Sequence, residues 1–283
     1  MNAAPDASFE MEISEEDKAL ARLLDALFEG CGYDFRDYAY TSLKRRAGHF
    51  YRAEGLNSID HLRDEILRDD ALRQRLVRSL TVHVTSMFRD AAFYRTVREQ
   101  VIPIWRTYPF VRLWVAGCSS GEEVYSLAIL LLEEGLYGRC RIYATDVSEP
   151  ILVRAREGIF PLSSMQDYTR AYQAAGGRSD FSDYYTAGDN AAMLRPFLRA
   201  NIVFAPHNLA SDASFNEFQG VFCRNVMIYF NRKLQLRTHR LLHESLAMFG
   251  YLGLGRSESI RHSGYDYAYE TVHHHEKIYR KIA

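Results

Sequence analysis

The sequence predicts an α/β protein: a doubly wound, mostly parallel, Rossmann-like sheet with an antiparallel C-terminal strand, preceded by a small all-helical N-terminal domain. Three observations carry that prediction. Strand-like and helical runs alternate from Val111 onward, the first of those strands enters a glycine-bearing turn that opens a helix, and the first 80 residues show helical periodicity only. A length of 283 residues suits two units. Apolar residues make up 47% and charged residues 25%, which excludes a disordered or fibrous chain.

Taken in order, Ser14 is placed to cap a first helix, with Glu15, Glu16 and Asp17 in its positive first turn. Leu20, Leu23, Leu24, Leu27 and Phe28 then recur at helical spacing until Gly30 and Gly32. A second helix is expected over Tyr38–Glu54 with Tyr40, Leu43, Ala47, Phe50 and Tyr51 inward. A third pattern runs through Ile59, Leu62, Ile66, Leu67, Leu72, Leu76, Val77 and Leu80, with a break near Asp69–Asp70. These form the helical domain 1–80, and a second domain spans 81–283, opening with a linker over 81–95.

In that second domain Val111–Val115 reads as a strand and Gly117-Cys118-Ser119-Ser120-Gly121 as the turn. A helix follows over Glu122–Glu134, then a strand over Arg141–Thr145 ending in Asp146. Pro150 opens another helix through Ala155. Later strands are expected at Ile202–Phe204, Gly220–Cys223 and Tyr251–Leu254, the last two separated by an amphipathic helix from Arg232 to Phe249. Runs at Tyr267–Val272 and Lys277–Lys281 flank His273-His274-His275-Glu276 and read as a closing antiparallel hairpin. Tyr265, Tyr267 and Tyr269 alternate as one strand face would. The stretch from about 158 to 200 is long for one crossover and reads as an insertion with a short helix or hairpin of its own.

Composition excludes several functions. With 35 basic and 36 acidic residues the formal charge is −1, so no global attraction to nucleic acid or an anionic membrane exists. No apolar run approaches the roughly 18–20 residues of a membrane span. The start MNAAPDASFEME lacks a secretory pattern. The four cysteines, Cys31, Cys118, Cys140 and Cys223, lie far apart without a CxxC pair. They read as reduced thiols of a cytoplasmic protein. Three adjacent histidines in a hairpin turn do not converge readily on one ion, so no metal is expected.

The strand, glycine turn, helix and second strand ending in Asp146 together form a nucleoside site. There the glycines admit the ligand to the backbone and the acid accepts from the ribose hydroxyls. A structural turn ending in a surface Asp would leave the same trace. The turn is Gly-x-x-x-Gly and leads into Glu122-Glu123 where a pyrophosphate would sit. Two carboxylates repel a diphosphate and tolerate a cation, which suits S-adenosylmethionine (SAM). The same acids would also complement the helix dipole.

At this point the residues match a family. The run Trp114-Val115-Ala116-Gly117-Cys118-Ser119-Ser120-Gly121-Glu122-Glu123-Val124-Tyr125-Ser126 resembles the first SAM motif of CheR-type chemotaxis methyltransferases, usually GCSTGEEPYS. Cys223-Arg224-Asn225-Val226-Met227-Ile228-Tyr229-Phe230 resembles their CRNVMIYF segment without change. Thr85-Ser86-Met87-Phe88-Arg89 resembles T-x-F-F-R, Gly255-Arg256-Ser257-Glu258 the GHSE turn, and Asn208-Leu209 the Asn-Leu pair after a sheet strand.

The resemblance implies the SAM-methyltransferase fold and transfer of the SAM methyl group to glutamate side chains of chemoreceptor-like signalling proteins. The products would be glutamate methyl esters and S-adenosylhomocysteine (SAH). It implies that Asp146 holds the ribose, with Asn208, Leu209, Asn225 and Val226 bordering the adenine and methionine moieties. Gly117 lies in the cofactor turn, one of Glu122 and Glu123 faces the cofactor, and Thr85 and Arg89 close over the SAM carboxylate and the reaction centre. Tyr229 lines the methyl-transfer site, so Arg89 and Tyr229 are the candidate catalytic residues. His83 stands where the family has Asn before the linker Thr, Val124 where it has Pro, and Arg256 where it has His. The alternatives are a SAM methyltransferase with another acceptor and a SAM- or SAH-sensing module without turnover.

The expected partners are the cytoplasmic helices of methyl-accepting chemoreceptors, met by a monomer without nucleic acid or membrane insertion. Some family members hold a receptor's C-terminal pentapeptide on a small β-subdomain, for which 158–200 shows no clear match. Charge suggests a different contact. From Asp6 to Asp34 the net charge is −7, and from Phe35 to Arg52 it is +4, carried by Arg36, Lys44, Arg45, Arg46 and Arg52. Arg45, His49 and Arg52 share one face of the second helix. Solvation is the plain reading of such a face, and an acidic partner the sharper one.

Overall fold

The computed structural model describes residues 14–81 and 85–283. The chain divides into two compact units, Met1–Thr81 and Val82–Ala283.

The first unit holds α1 (Glu15–Cys31), α2 (Tyr40–Ala53), α3 (Ile59–Ile66) and α4 (Asp70–Leu80) around a core of leucines that includes Leu20, Leu23, Leu43 and Leu76. The Ser14 hydroxyl accepts from the Asp17 amide at 3.2 Å, and Gly32 ends α1 in the left-handed conformation with φ 75°. Asp69 caps α4 through the Ala71 and Leu72 amides, which places the break where the sequence suggests it. Three apolar positions differ from expectation. Tyr40 is largely exposed because α2 starts there, and its hydroxyl reaches the Asp17 carbonyl. Phe28 lies at the rim under the Arg36 guanidinium, and Leu67 is exposed in the turn between α3 and α4.

The second unit opens with a helical segment that the sequence does not announce. α5 (Ala91–Thr96) passes through a π-turn (Val97–Val101) into α6 (Ile102–Trp105). Pro103 has no amide hydrogen for the Glu99 carbonyl, so a wide turn precedes it. Then follow β1 (Val111–Ala116), α7 (Glu122–Glu133), β2 (Cys140–Asp146), α8 (Glu149–Glu157), β3 (Ile159–Pro161), α9 (Met165–Ala174), β4 (Tyr185–Ala187) and β5 (Ala191–Leu194). The chain closes with β6 (Ile202–Pro206), β7 (Phe218–Cys223), α10 (Arg232–Ser245), β8 (Leu246–Leu254), β9 (Tyr269–His273) and β10 (Ile278–Lys281).

The main sheet has seven strands in the order β6-β2-β1-β7-β8-β10-β9. Pairs from β6 to β8 are parallel, and β10 is antiparallel to both β8 and β9. The chain leaves β1 toward β2 and β6 and returns to β7 on the other side, so the topological switch lies between β1 and β7.

Three details correct the sequence reading. α10 ends at Ser245, four residues before Phe249, because the chain enters β8 at Leu246 beside Phe218 of β7. Met248 and Phe249 are half exposed, so burial offers no reason to prolong the helix. Tyr265 and Tyr267 do not share a strand face with Tyr269: a 3-10 turn over Asp266–Ala268 intervenes and Tyr267 is exposed. The insertion carries both α9 and an antiparallel three-stranded sheet in the order β3-β5-β4, so a small β-subdomain exists where the sequence offered no clear match.

Candidate functional site

The carboxyl ends of β6, β2, β1 and β7 are adjacent, and the candidate residues gather there. After β1 the amides of Gly117 and Cys118 both donate to the Thr145 carbonyl at 2.8 Å, folding the chain back toward β2. Gly117 has φ 72°, and a Cβ on it would lie 2.6 Å from Val226 Cγ2. Only glycine permits that approach of the β1 and β7 loops.

Asp146, buried at the end of β2, ties the turn together. Its Oδ2 accepts from the Ser119 amide at 2.9 Å and its Oδ1 from the Ser148 amide at 3.0 Å. Beyond β6, Asn208 accepts from the Ala210 amide at 2.9 Å and Leu209 is buried. Asn225 follows β7 in the left-handed conformation, with φ 59°.

The two acids of the turn differ. Glu122 is buried and accepts from the Ser120 hydroxyl at 2.7 Å, with the Tyr168 hydroxyl 3.5 Å away. Glu123 takes the Arg224 guanidinium at 3.2 Å on Oε2, while its buried Oε1 has no hydrogen-bond partner among the described residues. Burial pushes both carboxyls above the ordinary 4.5. For Glu123 the nearby Arg224 charge opposes that rise and Glu258 adds to it. An orphaned, desolvated carboxylate oxygen fits the ammonium of a cationic nucleoside. Of the two acids, Glu123 is thus the one whose buried oxygen has no hydrogen-bond partner among the described residues.

The amide of Phe88, in the linker, donates to Ser126 Oγ at 2.8 Å, which anchors Thr85–Arg89 on α7. Thr85, Arg89, Val226 and Tyr229 are half-buried, and the Tyr229 amide donates to the Val226 carbonyl at 3.2 Å. His83 lies outside the described residues.

Residues 83–275 match the family CheR methyltransferase, SAM binding domain, and residues 18–81 match CheR methyltransferase, all-alpha domain. The chain belongs to the CheR methyltransferase family. Among curated relatives, a putative methyltransferase, Cher3, of Pseudomonas putida is 45% identical over 92% of this chain and 95% of its own length. A chemotaxis protein methyltransferase of Vibrio parahaemolyticus is 32% identical over 71% and 74%, and one of Listeria monocytogenes 29% identical over 85% and 89%. The CheR chain is thus a member of a SAM-dependent methyltransferase family, with SAM as its cofactor, and its mostly parallel Rossmann-like sheet is the fold of that family. No helix among the described residues is long and apolar enough to cross a membrane.

Two residues that shape this CheR site carried no assigned role in the sequence reading. Glu258 accepts four backbone amides at 2.6–2.9 Å, from Gly255, Asn225, Val226 and Met227. It thereby folds the loop after β7 around one buried carboxylate. Arg224 is buried and bonds to three groups, of which Glu123 is one. Both stood inside motif segments, but a buried structural charge and an exposed one look alike in sequence.

Proposed function

We propose that this CheR chain transfers the methyl group of SAM to glutamate side chains of chemoreceptor-like signalling proteins, forming methyl esters. One observation carries the reading: the motif segments that resemble chemotaxis methyltransferases meet at the carboxyl ends of four neighbouring strands, around an acid with one free oxygen. SAM supplies a methyl carbon on a sulfonium; an acceptor carboxylate, ionised at pH 7, bonds to it as the carbon–sulfur bond breaks, and the electron pair leaves with sulfur. No proton moves, so no general base is required.

The protein's part is alignment and exclusion of water. Asp146 holds the ribose hydroxyls and Glu123 the ammonium, while Gly117, Asn208, Leu209, Asn225 and Val226 wall the cofactor. Glu122, occupied by Ser120, shapes the turn. Arg89 orients the acceptor carboxylate, and Tyr229 lines its approach to the methyl group. A permanent tight ion pair with Arg89 would blunt the nucleophile, so its contact is a steering one.

Calorimetric titration with SAM and SAH, followed by assay of base-labile methyl on a receptor fragment, tests the reading. Binding of both with labile methyl release is expected. Binding without labile methyl would mark a sensing module or another acceptor. In the same assay Arg89→Ala should lower turnover more than SAH affinity, and an equal loss would reduce Arg89 to plain cofactor binding.

A further inference from the structure

One guanidinium touches both halves of the site. Arg224 has a side chain only 1% exposed. Its Nη1 donates to Glu123 Oε2 at 3.2 Å, and its Nη2 to the Arg89 carbonyl at 3.1 Å and to Asp90 Oδ2 at 2.9 Å. The guanidinium lies over the Phe93 ring, 4.0 Å from its centroid. Asp90 has φ 57°, a conformation that a non-glycine residue keeps only when its surroundings impose it. The surroundings are visible. Its carbonyl accepts from the Phe93 amide at 2.7 Å, and its second carboxylate oxygen lies 3.7 Å from Arg256 Nη1. Glu276 in turn holds Arg256 through two contacts, at 2.6 and 3.2 Å.

A planar guanidinium presents its donors in a fixed fork, so its three acceptors cannot shift independently. Bonding Glu123 Oε2 leaves Oε1 as the buried oxygen without a hydrogen-bond partner among the described residues. Bonding the Arg89 carbonyl and the Asp90 carboxylate fixes the backbone from which the Arg89 side chain departs. We infer that Arg224 is a positioning residue that couples cofactor occupancy at Glu123 to the conformation of the segment carrying Arg89. A cation arriving at Oε1 draws carboxylate charge away from Arg224, which then leans further on Asp90 and the Arg89 carbonyl. Because the same guanidinium also holds Glu123 still, the cofactor meets an acid already oriented. Coupling of this kind is reciprocal, so a linker fixed in its bound form also raises cofactor affinity.

The inference rests on the proposed role of Arg89, and the first readout of its test needs no methyl acceptor. Amide hydrogen exchange is followed in the full chain with and without SAH, for the wild type, Arg224→Lys and Asp90→Asn. In the wild type SAH should slow exchange both in the turn 117–123 and in the segment 86–96. A lysine ammonium cannot span three acceptors at once, and an asparagine at 90 keeps the shape but loses the charge. In both variants the turn should stay protected while protection of 86–96 falls roughly tenfold. Turnover should fall with it, beyond any loss of SAH affinity. Equal protection of both segments in the variants would overturn the coupling, as would loss of turnover and SAH affinity by one common factor. Should Arg224→Lys fail to fold, Asp90→Asn decides alone. A wild type that shows the two-segment protection but leaves receptor fragments unmethylated would instead overturn the acceptor reading and leave the coupling intact.

Discussion

Asp146 and Glu123 are both acids of the proposed cofactor site, yet they should respond differently to mutation and pH. Asp146 already accepts two backbone amides, so Asp146→Ala removes the proposed ribose acceptor and also frees the Ser119 and Ser148 amides of the turn. SAM affinity should fall by about 1–3 kcal/mol in calorimetry, and thermal stability should drop as well. Unchanged affinity in a folded variant would move the pocket elsewhere. Glu123 carries a pKa raised by burial, so the ionised form costs folding energy. Its contribution to the stability of the free protein is therefore present in full below the unfolded pKa and lost as pH rises through the higher folded pKa. Cofactor affinity runs the other way, since the ammonium needs the ionised acid. SAM binding should weaken on acidification at a higher pH than an ordinary carboxylate would allow. Glu123→Gln should flatten that profile and lower affinity near neutrality, with calorimetry across pH as the check; an unaltered profile would exclude Glu123 as the titrating group. Sequence was informative here up to a definite limit. It singled out Asp146 and the acid pair as candidates because a glycine turn and an acid at fixed spacing leave a trace. It did not separate Glu122 from Glu123, because that depends on Ser120 reaching one and Arg224 the other across 101 positions of chain.

Among the elements, regular periodicity was legible and long-range exchange was not. α1 and α7 start within one residue of where caps and charge patterns place them, since an N-terminus is a local event. The switch from α10 to β8 depends on Phe218 pairing with Leu246, and the insertion sheet on pairing β3 with β5 across 30 residues. Neither partner can be read from a window. What holds the insertion is likewise non-local: a pair of acids at the end of α7. The side chains of Glu133 and Glu134 are 3% and 2% exposed. Glu133 accepts from the Tyr172 hydroxyl, the Tyr184 hydroxyl at 3.0 Å and the Arg178 amide at 2.9 Å, all in the insertion, and from Arg98 at 2.6 Å. Glu134 takes Arg98 and Arg106 from the preceding helix and Arg178 at 2.9 Å. Arg98 keeps Glu134 if Glu133 is removed, but the Tyr172 and Tyr184 hydroxyls and the Arg178 amide lose their acceptor, and a buried donor left unsatisfied costs about 1–3 kcal/mol. Glu133→Ala should therefore lower stability by that order in denaturant titration and expose 176–190 to limited proteolysis. A protease-resistant insertion at unchanged stability would show that aromatic packing of Tyr172, Phe181 and Tyr184 suffices without the acids.

For the whole molecule the open question is how a CheR chain meets its acceptor, and charge offers a concrete answer. α2 exposes Arg45, His49 and Arg52 on one face, as the i, i+4, i+7 spacing requires. Arg46 is different: it is half-buried and donates to the Leu80 carbonyl at 2.8 Å, so it belongs to the helical unit's own structure. Lys44 is likewise engaged, by Asp17 at 2.6 Å and Glu16 at 3.2 Å. The face free to meet acidic methylation helices is therefore narrower than the basic run of sequence suggests. Reversal of Arg45 and Arg52 to Glu should slow methylation of a receptor fragment while SAH affinity stays at the wild-type value. Because the contact would be steered by exposed charge, added salt should slow the wild type toward the double mutant. The Debye length shrinks from about 10 Å at 0.1 M to about 3 Å at 1 M. Arg46→Glu is unsuited to the test, since it would also disturb the end of α4. The antiparallel sheet of the insertion supplies a small β-subdomain where the sequence offered no clear match, so the peptide arm is needed. Unchanged methylation in the Arg45/Arg52 double reversal, together with tight binding of an isolated receptor C-terminal peptide, would transfer docking from α2 to that sheet. Slow methylation with no peptide binding would leave the basic face of α2 as the point of contact.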